Sequence, residues 1–147
     1  MRAFRRFLGD HRGAAAVEFA LVIVPLLLFL FGTIEFARLM WTRQAMQSLA
    51  ITAARCMGIL GTACSTDGTS VDLTMTKDYV VSRASGFGVR LVASNITLQT
   101  NAACNAVASG FSTVKINYTF NTVAPKLITV LVGGSALETN ACFPNAT

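Results

Sequence analysis

The chain has 147 residues, of which 53% are hydrophobic and 13% charged, against roughly 25% charge in an ordinary soluble domain. That balance points to a membrane segment attached to one modest domain. The net charge is +5, and more than half of it lies near the start, where Arg2, Arg5, Arg6 and Arg12 face only Asp10. With no basic stripe interleaved with aromatics further on, nucleic-acid binding is not expected.

Three regions follow in chain order: a basic leader over 1–13, a membrane and amphipathic helix over 14–61, and a β-rich domain over 62–147. From Ala14 to Ile34 the sequence is apolar with one charge, Glu18. At about 1.5 Å per residue this stretch covers roughly 30 Å, one bilayer core. A buried core helix is the competing reading, but nothing else in the chain is large enough to wrap it. Pro25 is tolerated in a membrane span as a kink. The arginines before the span place the N-terminus in the cytoplasm by the positive-inside rule, moderated by Arg38 and Arg43 beyond it. A removable secretory signal needs a small-x-small site after the apolar run. The residues there, "FGTIEFARLMW", are bulky and charged, so the anchor is expected to stay.

A lone carboxylate at the depth of Glu18 costs a few kcal/mol unless paired. The helical neighbours Ala14, Ala15, Leu21 and Val22 offer no cation. Snorkelling to the membrane edge is one solution. Another is a new terminus: a cut after Gly13 leaves Ala14 as a free ammonium. Glu18 of one subunit then neutralises the Ala14 terminus of its neighbour and sets the register between them.

The stretch "GAAAVEFALVIVPLLLFLFGTIEFARLM" resembles the class III signal of type IV prepilins. More narrowly it is similar to the TadE-like minor pilins, or pseudopilins, of tight-adherence (Flp-type) pili. The resemblance rests on Gly13, Glu18, Phe19, Pro25, Gly32 and Glu35. It implies that a prepilin peptidase cuts between Gly13 and Ala14. It also implies a single-pass subunit of a bacterial inner membrane with its C-terminal domain in the periplasm, able to enter an extracellular pilus that serves attachment. Its implied partners are other pilins and pseudopilins and the inner-membrane assembly platform. An uncleaved, signal-anchored binding or assembly module of an envelope secretion apparatus is the alternative.

Past the span, Leu39, Met46, Leu49, Ala53 and Met57 recur at helical spacing, with Arg38, Gln47, Thr52 and Arg55 between them. One helix is therefore expected from about residue 14 to 59, capped near Gly58 and Gly61. Trp41 falls where an interface aromatic belongs. Cys56, Cys64, Cys104 and Cys142 lack metal-ligand spacing and all follow the span, which suits two disulfides in an oxidising compartment. Three pairings are open; Cys56–Cys64 with Cys104–Cys142 is favoured. Residues 62–70 read as a loop. "VDLTMT" alternates like a strand, and "KDYVVSRAS" reads as a short helix ending at Gly86 or Gly88. "VRLVASNITLQT" reads as a strand with an irregularity near Ser94 and Asn95, "NAACNAVASG" as a turn-rich loop, and "VKINYTF" as the cleanest strand. Pro125 is read as opening a short helix over "KLITVLV", and "SALETNACF" as a last strand. The fold class is α+β, a helical spine against a small antiparallel sheet.

No enzymatic chemistry is expected. The one histidine is His11, in the leader. Asp67, Asp72, Asp78 and Glu138 show no acid–base pairing. "GFG" at 86–88 and "VGG" at 132–134 are too short for phosphate loops. No metal and no cofactor is indicated. Asn95, Asn117 and Asn145 begin glycosylation-type triplets, a pattern common by chance.

Overall fold

The computed structural model describes residues 13–104, 107–122 and 133–146. The chain divides into two compact units, one up to Ala37 and one from Arg38 onward. Helix α1, Ala14–Gly58, belongs to both.

In the first unit α1 exposes almost every side chain. Val17 is 60% exposed, Phe19 67%, Leu21 72% and Phe31 63%, a distribution that water would oppose and lipid would not. This is the one helix among the described residues long and apolar enough to cross a membrane. Pro25 lies inside it, withdrawing the donor that would otherwise reach the carbonyl one turn back.

In the second unit α1 turns amphipathic. Leu39, Met46, Leu49, Ala50, Ala53, Ala54 and Met57 are buried, while Arg38, Gln47, Thr52 and Arg55 are exposed. These are the two faces that the spacing predicts. The helix ends by a left-handed closure: Gly61 N donates to Cys56 O at 2.9 Å and Leu60 N to Met57 O at 3.3 Å, with Leu60 at φ +52°. Cys56 is bonded to Cys64 across this turn, with their Cα atoms 5.9 Å apart.

Helix α2 spans Leu73–Gly86, and this corrects the strand expected over "VDLTMT". Asp72 is its N-cap, its carboxylate accepting from the Thr74 and Met75 backbone N–H groups, both at 2.9 Å. That satisfies two of the orphan donors at a helix start. Thr76, Val80 and Ala84 are the buried stripe, spaced by one turn. Beyond α2, Val89 N donates to Ala84 O and Gly88 N to Ser85 O, each at 3.0 Å. This is a Schellman closure with Gly88 in the left-handed position that favours glycine, φ +74°.

Three strands, β1 Ile96–Cys104, β2 Val107–Thr119 and β3 Ala136–Pro144, form an antiparallel sheet in the order β1-β2-β3. The expected strand from Val89 is shorter than read. Val89 and Leu91 are buried but unladdered, and a 3₁₀ turn at Ala93–Asn95 precedes β1. The expected loop over 101–110 is largely strand. Ala102 pairs with Phe111 and Cys104 with Val107, after a bulge between Gln99 and Ala102. Asn101, at φ +54°, accepts from Gly110 N through its side chain at 2.9 Å, which absorbs the extra residue. The helix expected after Pro125 lies outside the described residues.

Register places Ile116 between Ile96 and Thr139, and Val114 between Leu98 and Ala141. Ile96, Leu98, Val114 and Ile116 join Met46, Leu49, Met57, Val80 and Leu91 in one core, with Ala141 packed against it. Fully burying such a side chain stabilises by about 1.5–3 kcal/mol. The opposite face carries Thr97, Lys115 and Asn140 in one row and Gln99, Thr113 and Cys142 in the next. The fold is α+β, a long apolar N-terminal helix followed by a helix-covered three-stranded sheet.

Candidate functional site

The candidate site is the start of α1. Gly13 is exposed, and a Cβ built on it would meet nothing within 4 Å. Local packing therefore places no demand for glycine here. Ala14 begins the helix, and Glu18 follows one turn later on the same face, since residues four apart are neighbours. Helical side chains lean toward the N-terminus, so the Glu18 carboxylate is carried back toward the turn of Ala14. Glu18 is exposed and makes no ion pair with any described residue. Its surroundings on the helix are Val17, Phe19, Leu21 and Val22, all more than half exposed.

In lipid that arrangement is an uncompensated carboxylate on an apolar cylinder. It would attract a cation presented at the same depth. The leader residues Arg2, Arg5, Arg6 and Arg12 lie outside the described residues. Further along α1, Gly32 is half-buried and Glu35 is 6% exposed.

The second unit carries the other residues singled out from the sequence. Cys104 is bonded to Cys142, Cα to Cα 6.3 Å, which ties β1 to β3 across β2. Asp67 organises the loop before α2. Its carboxylate accepts from the backbone of Thr69 and Ser70 at 2.9 Å and from the hydroxyls of Ser65 and Ser70. Those donors, the Thr69 N–H first, hold its pKa well below the usual carboxylate range. Lys115 pairs with Glu138 at 2.6 Å on the exposed face of the sheet. A groove of about 490 Å³ on that face is lined by Thr97, Gln99, Lys115 and Asn140 among others. Among the described residues no cluster of His, Cys, Asp and Glu is placed to hold a metal ion.

Sequence reasoning did not find two contacts. Trp41 Nε1 donates to Phe87 O at 3.3 Å, and Gly58 lies against Phe143 and Pro144. Only the glycine itself, at a helix end, signalled the second.

Comparison with curated proteins and with solved structures gives no match. Comparison with family models does: the TadE-like protein family matches residues 13–55, less than a third of the chain. Over that stretch, which holds Gly13, Glu18, Phe19, Pro25, Gly32 and Glu35, the chain carries the pattern of the TadE-like proteins.

Proposed function

We propose that the chain is a minor pilin or pseudopilin of a tight-adherence, Flp-type pilus. A prepilin peptidase cuts it after Gly13 on the cytoplasmic side of a bacterial inner membrane. The mature subunit starts at Ala14 and remains single-pass, with its disulfide-bonded domain in the periplasm. It then joins or initiates a fibre with other pilins and pseudopilins on the inner-membrane assembly platform. Its role is structural and not enzymatic, and the fibre serves surface attachment.

One observation carries this reading: Glu18 stands one helical turn from Ala14, exposed among apolar side chains and without an ion pair among the described residues. A subunit that acquires an α-ammonium at Ala14 gives its neighbour's Glu18 a counter-charge inside the lipid. Both charges are then buried as a pair between subunits on assembly, which fixes axial register. The TadE-like match over 13–55 supports the same assignment.

The test is the mass of the chain coexpressed with a prepilin peptidase. Processing gives an N-terminus at Ala14, and Gly13→Leu abolishes it. Glu18→Ala is still cut but enters fibres poorly. An intact Met1–Gly13 leader in functional assemblies would refute the proposal and favour the uncleaved, signal-anchored module. Normal fibre incorporation of Glu18→Ala would refute the charge pairing alone.

A further inference from the structure

The "GFG" stretch at 86–88 finds no use as a phosphate loop, yet the structure displays it conspicuously. The Schellman closure of α2 presents Phe87 between Gly86 and the left-handed Gly88. Phe87 is 39% exposed, and Trp41, to which its carbonyl is hydrogen bonded at 3.3 Å, is 62% exposed. Together they line a shallow, largely apolar cavity of about 250 Å³ with Gln44, Ala45 and Ser48. A second cavity of about 180 Å³ shares Ser48 and Phe87 with it and adds Tyr79 and Arg83. The Arg83 guanidinium lies 5.6 Å from the Tyr79 ring centroid. Arg43 and Arg90, near Trp41 and Phe87 in sequence, are exposed as well. Asp78 is an exposed acid on α2.

Two exposed aromatics side by side, together with a surplus of arginine, suit a layer that is apolar on one side and anionic on the other. A bilayer headgroup region is such a layer. Trp and Tyr concentrate there, and basic residues are drawn to anionic lipid. Trp41 follows the apolar run by only seven residues, counting from Ile34. We infer that Trp41 and Phe87 form a two-point interfacial anchor that seats this face of the Arg38–Thr147 unit in the headgroup layer of an anionic bilayer, before any incorporation into a fibre. The inference rests on the reading of Ala14–Ile34 as the span.

Trp41 is the only tryptophan, so it reports its own surroundings. The experiment places the full chain at low density in phosphatidylglycerol–phosphatidylcholine vesicles, with and without lipids brominated near the top of the acyl chain. Flotation establishes the anchor separately. The inference predicts blue-shifted Trp41 emission and loss of most of its intensity in brominated vesicles. A double variant, Trp41→Phe with Phe87→Trp, moves the reporter to the α2 tip, and its circular dichroism checks the fold. Residue 87 must be quenched as well, because its quenching does not follow from the helix alone. Flotation with an unquenched residue 87 overturns the anchor at the tip while the span stands. Quench-free emission that turns blue only at high protein density assigns the patch to a neighbouring subunit and also overturns it. Failure to float removes the span and the inference together.

Discussion

Gly58→Ala tests how α1 meets the rest of its unit. A Cβ at Gly58 would lie 2.5 Å from Phe143 Cδ1 and 2.7 Å from the Pro144 carbonyl oxygen. The ring can shift slightly, but the carbonyl belongs to the backbone of β3. Overpacking of this kind costs about 1–3 kcal/mol. The displaced segment also carries the Ala146 N–H that donates to Gly58 O at 2.7 Å, a bond worth about 1 kcal/mol. Against this stands the helix propensity of alanine over glycine, at most about 1 kcal/mol. The net expectation is a loss of about 1–3 kcal/mol. Gly86→Ala is the matched control: it too ends a helix, and its Cβ would meet nothing within 4 Å. That variant should be neutral or more stable by up to about 1 kcal/mol. Urea unfolding of the full chain in detergent micelles, followed by Trp41 fluorescence, gives both midpoints. The reasoning fails if Gly58→Ala unfolds at or above the wild-type midpoint, or if the two glycines respond alike.

Two further outcomes follow. The Cys104–Cys142 bond closes a separation of 38 residues and Cys56–Cys64 one of 8. Chain-entropy scaling makes them worth about 4 and about 2.5 kcal/mol, so the Cys104→Ala/Cys142→Ala chain should have the lower urea midpoint of the two paired knockouts. Asp67 has its pKa lowered in the folded state by the Thr69 and Ser70 donors. Its contribution is therefore complete above the unfolded carboxylate pKa of about 3.9 and fades as pH falls below it. Asp67→Asn should lessen the loss of stability between pH 5 and pH 2, seen as a flatter acid limb of melting temperature against pH; an unchanged limb would remove this role.

The long helix was legible because one pattern hands over to another within it. Continuous apolar residues run to Ile34, and a spaced set continues from Leu39 to Met57 with charged residues between. The sheet was legible where alternation and pairing coincide, at Val114, Ile116 and Tyr118. It was misread at "VDLTMT", where Val71, Leu73 and Met75 alternate by chance over a helix start. The stronger signal lay further on, in Thr76, Val80 and Ala84, and in Asp72 as a cap. Val89 and Leu91 show the limit of alternation as evidence: an extended segment can bury every second residue without joining a ladder. Over 101–110 the sequence was read as a turn-rich loop, and Asn101 and Gly110 do adopt positive φ, but composition alone does not distinguish an irregular strand from a loop. At the candidate site the residue types were readable. The lack of a cation among its helical neighbours was readable too; what could not be read was that no other described residue pairs with Glu18, because that depends on what the chain folds next to it.

The bond from Ala146 N–H to Gly58 O joins the end of the first helix to residues synthesised after all three strands. Asn145 adds two more ties to the same region, through Gly110 O and the Ser112 hydroxyl. During biosynthesis, then, the spine emerges long before the pieces that cover it. Its Met46, Leu49 and Met57 stripe shares one core with residues of α2 and of all three strands, so closure of this half is complete only once residue 146 has been made.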